Sequence, residues 1–350
     1  MEKNYKGALK MKVTMKDIAS KLKISINAVS IALNDKPGVS DEMRLEILKT
    51  ADQMGYINQK RQYLSVFSKS NICLLMQSYY ADTGHFYSIV LRSIVEHAKT
   101  LGYFSILNYF EDNDFVMPEC IEERKAAGIL VVGKISDRNL MMLKKIGIPV
   151  VLVDFTSLCT PCDCVLTHNK QGGYMMTTYV INKGFKRIGF FGDLDYSFSF
   201  EDRFIGFKQA LLKNELVDYQ HVDDYIKKYS FLQGIEKYIL ANQNDQIINI
   251  LKMKKLPEVL VCANDSNAFA LIIALKDMGL KVPEDISVVG FDDIPLCVKA
   301  MPQITTVQVQ KELMGEVAVS TLIDRIHRID NIPMTQLLSV KIVERASLKN

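Results

Sequence analysis

Six apolar runs of strand length punctuate the chain after residue 70: ICLLM (72–76), GILVVG (128–133), PVVLVD (149–154), RIGFFGD (187–193), VLVCAN (259–264) and ISVVGFD (286–292). Amphipathic stretches at 86–100, 137–146, 170–182, 201–213, 266–278 and 311–329 lie between or after them. A strand that is apolar without alternation is covered on both faces, so this rhythm implies parallel sheets flanked by helices. A stretch of about 280 residues with so many strands divides more naturally into two doubly wound lobes than into one. Ligands bind such folds beyond the C-terminal ends of the strands, so a cleft between the lobes is the expected site.

The first 70 residues follow a different pattern. Thr14 is placed to cap a helix from Met15 to Leu22, with Asp17 completing a capping box. After a tight turn at Lys23-Ile24, Ser25 caps a second helix that runs through Leu33 and ends at Asn34. Asp35-Lys36-Pro37-Gly38 forms a turn, and Ser40 caps a third helix with Leu45, Leu48 and Ala51 on one face, stopping at Gly55. Ile18, Ala19, Leu22, Ile24, Val29, Leu33, Leu45 and Leu48 are the candidates for a three-helix core. Residues 57–70, INQKRQYLSVFSKS, are polar and basic with isolated Leu64 and Phe67, which is the composition of a linker.

Charge separates the same two regions. Residues 1–70 contain 13 Lys+Arg and 7 Asp+Glu, whereas the remaining 280 contain 30 and 33, within a formal net charge of +3. A basic head on a slightly acidic body suggests that only the head meets a polyanion, although a solvated lysine-rich terminus would have the same balance. No apolar run reaches the roughly 18 residues of a spanning helix, and the N-terminus has no apolar signal core. The expected setting is the cytoplasm. Seven scattered cysteines fit reduced thiols better than a disulfide framework. Cys159, Cys162 and Cys164, with His168 four residues on, lack the two separated ligand pairs of a structural zinc site, so no metal is expected. No nucleophile elbow, metal-type histidine spacing or phosphate-binding loop is present, so neither an enzyme nor a cofactor is expected.

The segment VTMKDIASKLKISINAVSIALNDKPGVSDEMRLEILKTADQMGYI resembles the DNA-binding head of the lac-repressor-type (LacI/GalR) transcription regulators. The body carries further signatures similar to that family's, in its order and approximate spacing: AAGILVVG, GIPVVLVD, NKQGGYMMTTYVINKGFKRIGFFGD, RFIGFKQAL, ANDSNAFALIIALKDMGLKVPEDISVVGFDD and PQITTVQVQKELMGEVAV. The resemblance runs from Val13 to about Val343. It implies an N-terminal all-α helix-turn-helix head on an α/β two-lobed, periplasmic-binding-protein-like body of doubly wound parallel sheets. It also implies a homodimer on a near-palindromic double-stranded DNA operator, with a small effector such as a sugar or related metabolite between the lobes. The absence of a heptad extension in ASLKN favours a dimer over a tetramer. The expected domains are a head at 12–56, a hinge linker at 57–70 and a body at 71–350. The lobes are expected at 71–168 with 300–329 and at 169–299 with 330–345.

In a helix-turn-helix the second helix places its N-terminal side chains against base edges. Here these are Ile26 and Asn27, with Ile31 just over one turn later. Asn27 can pair with adenine in a bidentate way and Ile26 can meet a thymine methyl. Thr14, Ser25, Ser30, Asn34 and Ser40 suit phosphate contacts, a role compatible with capping. Ile31 departs from the family, where an arginine that reads guanine is usual. The departure points to an A·T pair there. The hinge departs too, with Asn58 where the family often has Pro. Leu64 is the candidate wedge at the central base step, with Lys60 and Arg61 near phosphates; a tether that never inserts is the alternative.

Family positions mapped onto the body suggest an effector pocket of His85, Phe86, Asp154, Arg203, Tyr229 and Asp265. Carboxylates, an arginine and an aromatic face suit a polyhydroxylated ligand. Asp265 and Arg203 could instead pair with each other or cap helices, and His85 could lie on a loop surface. Phe155 and His168 replace residues usual in the family, which leaves the ligand open. The leading expectation is a repressor under metabolite control. A transcription activator of the same fold, a solute-binding protein of a transport system and a metabolic enzyme are the competitors.

Overall fold

The computed structural model describes residues 13–33, 38–56, 71–82, 85–327 and 332–349. The expected hinge at 57–70, with Leu64, lies outside the described residues, as does Asn34. Two compact units are present, divided at Ser70/Asn71 apart from the short segment Glu123–Ala127, which clusters with the first.

The first unit holds α1 (Met15–Leu22), α2 (Ile26–Leu33) and α3 (Asp41–Gln53). The α1 capping box forms: the Asp17 N–H donates to Thr14 Oγ1 at 3.3 Å and the Thr14 N–H to Asp17 Oδ2 at 2.7 Å. Lys23 takes the left-handed conformation (φ 55°) that ends α1 and turns the chain tightly. Ser25 and Ser40 cap the next two helices through the N–H groups of Ala28 and Met43. Ile18, Ala19, Val29, Ala32, Ile47 and Ala51 form the core, with Leu22, Ile24 and Leu33 packed at its edge. The expected stripe on α3 is corrected in one position: Ala51 joins the core as expected, and the Leu45 side chain lies outside what the structure describes. Leu48 is exposed, because the apolar side chains at the i, i+4 spacing are Met43, Ile47 and Ala51.

The body contains two sheets. The first has the strand order β10-β5-β4-β3-β1-β2, with β1 Asn71–Gln77, β2 Phe104–Phe110, β3 Gly128–Val132, β4 Val150–Val153, β5 Asp163–Thr167 and β10 Thr335–Leu338, all parallel. The second has the order β11-β9-β8-β7-β6, with β6 Ile188–Phe191, β7 Val259–Cys262, β8 Ser287–Asp292, β9 Thr305–Gln308 and β11 Lys341–Val343. Only β11 runs antiparallel to its neighbour. Every residue of β3, β4, β6, β7 and β8 is buried, as continuous apolar runs require.

Helices connect these strands. In the first lobe they are α4 (Ser78–Asp82), α5 (His85–Thr100), α6 (Glu119–Glu122) and α7 (Asp137–Lys145). The second lobe has α8 (Asn169–Asn182), α9 (Phe198–Lys213), α10 (Val222–Tyr229), α11 (Glu236–Leu240), α12 (Asn244–Lys252), α13 (Asp265–Asp277) and α14 (Leu296–Lys299). The chain then returns to the first lobe through α15 (Lys311–His327), which packs on α5, β3, β4 and β5. Helices α8 and α9 cross at very small separation. A Cβ on Gly173 would lie 2.1 Å from the Arg203 carbonyl oxygen, and one on Gly206 would lie 2.1 Å from that of Lys170.

The chain passes between the sheets three times, after β5, after β9 and after β10. The expected lobe boundaries are corrected accordingly. β9, at 305–308, joins the second lobe, and β10, at 335–338, joins the first. Each pairs where an edge is open: β10 lies along β5, and β9 fills the gap between β8 and β11. The second passage is fastened by Lys311, which is 4% exposed and donates to the carbonyls of Asp292 at 2.5 Å and Asp293 at 3.1 Å. At the first and third passages the His168 N–H meets the Leu338 carbonyl at 2.9 Å.

Candidate functional site: the cleft between the lobes

A cavity of about 490 Å³ opens between the two sheets, at the C-terminal ends of their strands. Its first-lobe wall comes from the segments after β1, β3 and β4, and its second-lobe wall from those after β6, β7 and β8. Of the expected residues, His85, Phe86, Asp154 and Arg203 line it.

Asp154 sits just beyond β4 with φ 58°, and Asp292 ends β8 with φ 113°. Left-handed backbone is costly for any non-glycine residue and is least so for Asp and Asn. In both places it turns a carboxyl group toward the cavity. The Tyr87 hydroxyl donates to Asp154 Oδ2 at 3.0 Å. Burial pushes the Asp154 carboxyl up to about 6, with the nearby Arg203 pulling the other way.

Arg203 lies in α9, whose N-terminus is capped by Ser197. It is 4% exposed, and all three guanidinium nitrogens are used. Nε donates to Asn169 Oδ1 at 2.9 Å, Nη1 to the Ala263 carbonyl at 2.7 Å and Nη2 to Asp292 Oδ1 at 2.9 Å. The guanidinium also stacks 3.8 Å from the Phe291 ring centroid. Burial pushes the Asp292 carboxyl up, and Arg203 and Lys311 oppose that shift. Arg203 therefore faces the cavity as a fixed, paired charge.

Two expected residues do not reach the cavity. Asp265 is fully buried at the start of α13. Its Oδ1 accepts from the Thr306 hydroxyl at 2.6 Å and its Oδ2 from the Ile294 N–H at 3.0 Å, which ties α13 to β9 and to the segment after β8. Its pairing is thus with Thr306, not Arg203. Tyr229 is also displaced from its expected position: it ends α10, which packs against β6, and lies outside the cavity lining. Its ring lies edge-on to Tyr225, and its carbonyl would be 2.0 Å from a Cβ on Gly189.

Glu236 and Asn267 line the cavity but carry no sequence signal of their own. Glu236 Oε2 accepts from the Asp193 N–H at 2.9 Å and Oε1 from Asn267 Nδ2 at 2.6 Å. In return the Asp193 carboxylate accepts from the N–H groups of Ile235 at 2.8 Å and Glu236 at 3.2 Å. Burial, then the adjoining Asp193 side chain, pushes the Glu236 carboxyl up to about 8. The aromatic faces come from both lobes. Tyr80 and Tyr87 have centroids 4.9 Å apart, and Tyr196 and Phe200 have centroids 5.1 Å apart. Cys159 is exposed at the rim, whereas Cys162 and Cys164 are buried; burial pushes the Cys162 thiol up to about 11, away from the thiolate a metal requires.

In the head, Thr14, Ser25, Ile26, Asn27 and Ser40 are exposed and Ser30 and Ile31 are half-buried. Ile26 is 48% exposed at the start of α2, outside the core. The Ile31 side chain lies beside Gly38, where a Cβ would approach its Cδ1 to 3.3 Å.

The model of bacterial regulatory proteins of the lacI family matches residues 14–59, and that of a periplasmic binding protein-like domain matches residues 177–348. The chain is 27% identical over 345 residues to an "HTH-type transcriptional repressor PurR" of Vibrio atlanticus, covering 96% of this chain and 98% of that one. A repressor of the same name from Photobacterium profundum is 25% identical, with 96% and 99% covered. Among solved structures, a LacI family regulator from Enterococcus faecium with bound ribose has a TM-score of 0.67 at 23% identity, covering 80% of this chain and 98% of that one. The lac repressor dimer bound to operator and the anti-inducer ONPF has a TM-score of 0.65 at 21% identity, with 97% and 100% covered. These likenesses show the fold, and the family models span both head and body. The chain belongs to the LacI/GalR family of bacterial transcription regulators.

Proposed function

We propose that this protein is a sequence-specific DNA-binding repressor whose operator affinity is set by a small molecule held between its two lobes. The observation that carries the reading is the combination of a capped helix-turn-helix head with a strand-end cavity on a body crossed three times by the chain. The relatives named as PurR repressors and the operator-bound lac repressor support the DNA partner. Solved neighbours holding ribose and cellobiose support a compact polar effector.

Ile26, Asn27 and Ile31 present α2 to base edges, while Thr14, Ser25, Ser30 and Ser40 meet phosphates. Asn34 and Leu64, which lie outside the described residues, are assigned to DNA by the family resemblance alone. Asp154, His85, Phe86 and Arg203 surround the effector. The protein acts in the cytoplasm as a homodimer, and the ligand favours one closure angle of the lobes. That angle decides whether both heads engage the two half-sites. The ligand's influence is bounded by its difference in affinity for the two lobe arrangements.

A gel shift with the DNA upstream of the gene, run at several salt concentrations, tests the reading. Retardation that weakens steeply as salt rises is expected, because phosphate contacts release counterions. No retardation on any DNA, with or without a metabolite extract, would overturn it.

A further inference from the structure

The acidic groups of the cavity have more to say about its occupant. Asp154 and Glu236 both face it, one from each lobe, and among the described residues neither has an ion-pair partner. Asp292 is already paired with Arg203 at 2.9 Å. The other cation in the lining, Lys134, is exposed at the rim. The interior thus holds two carboxyl groups without an ion-pair partner, Asp154 half-buried and Glu236 buried; the one cation that acts on Asp154, Arg203, is already paired with Asp292. An anionic ligand would add negative charge beside the Asp154 carboxylate and hold Glu236 protonated, whereas a cationic ligand favours the ionised form of both.

We propose that the effector carries a protonated amine on a compact polar skeleton, held between the Asp154 and Glu236 carboxylates and the aromatic faces of Tyr87 and Tyr196. The aromatic groups suit this occupant as well. Tyr80 and Tyr87 from one lobe and Tyr196 and Phe200 from the other offer ring faces, which attract a desolvated cation. Asp154 is surrounded by Tyr80, Tyr87, Arg203 and Asp292, and Glu236 by Asp193, Tyr196, Cys262 and Asn267. Only Arg203 among these groups is cationic, and its guanidinium is committed to Asp292. At neutral pH in the empty cavity Glu236, raised to about 8, holds its proton, whereas Asp154, raised only to about 6, is mostly ionised. When the ammonium enters, Glu236 releases its proton to solvent, and both carboxylates accept hydrogen bonds from the amine.

This inference rests on the reading of the cavity as an effector site, and its test is separable from that reading. The full chain is melted with matched sets of probes: glucosamine, glucose and glucose 6-phosphate; galactosamine, galactose and galactose 1-phosphate; putrescine and butanediol. The amino member of at least one set is expected to raise the melting temperature and to bind at least about tenfold more tightly than its neutral partner. In Glu236→Gln, or in Asp154→Asn should the first variant not fold, that advantage is lost. Equal stabilisation by a neutral or phosphorylated member, or no shift with any amine, overturns the proposal. In either case a response of operator retardation to a metabolite extract would leave effector control standing.

Discussion

Asp265 and Thr306 hold the second lobe together across its interior, the hydroxyl of one donating to Oδ1 of the other at 2.6 Å. The same carboxyl takes the Ile294 N–H, so truncation leaves two buried donors unmet. Asp265→Ala is expected to destabilise the body by about 2–5 kcal/mol, since each lost partner of a buried donor costs about 1–3 kcal/mol. Denaturant unfolding of the full chain measures this. A variant as stable as the parent with weakened effector binding alone would contradict the structural role.

Glu236 should make the unliganded body less stable in mild alkali. Its carboxyl is raised from 4.5 to about 8, so the folded chain keeps a proton that the unfolded chain releases over this window. The contribution is full below about pH 4.5 and is lost as pH rises through 8, by at most about 1.4 kcal/mol per pH unit. Melting temperatures of the parent and Glu236→Gln compared between pH 5 and 8 test the sign. The variant is expected to have the shallower decline.

At the head, Ile31 should select an A·T pair with its methyl group where an arginine would require guanine. Selection from random DNA is expected to return no strict guanine opposite this residue. Ile31→Arg is expected to shift the preference toward G·C by about 1–3 kcal/mol.

Helices α8 and α9 approach so closely that an added methyl meets backbone, at 2.1 Å for both Gly173 and Gly206. Neither glycine has a positive φ, so the effect isolates packing. Gly173→Ala and Gly206→Ala should each cost about 1–3 kcal/mol, through displacement of the helix that carries Arg203. Thermal unfolding in the presence and absence of ligand reads both consequences.

The strands that the sequence revealed most clearly are those buried on both faces, because a fully apolar run has one good solution. The remaining strands were harder to read. β2 is exposed or half-buried at all but its last residue, and the short β9, β10 and β11 (TTVQ, TQLL and KIV) carry polar residues in place of an unbroken apolar run. The lobe assignment of residues 300–345 failed for this reason, since those short strands decide it. In the cavity, Asp154 and Arg203 could be found through the family resemblance, and the fold places them just beyond β4 and in the second turn of α9. Asp265 occupies a similar place in the chain, but a hydroxyl 41 residues away claims its side chain. Glu236 was invisible, as its partner Asp193 lies 43 residues earlier and both gain meaning only when burial brings them together. Tyr229 was misplaced because a helix's face cannot be assigned to one side of a sheet from its own residues alone.

The return of the chain through both sheets has a consequence for biosynthesis. β10 and β11 each close one edge of a different sheet, and both lie within residues 335–343. Neither lobe is complete until that stretch has left the ribosome, whereas the helices at 15–53 emerge early and share no sheet with the body. A growing chain therefore presents a formed DNA-reading head well before it has a body able to answer a metabolite. Until the last two strands arrive, β5 and β9 each leave a bare edge that other chains can pair with.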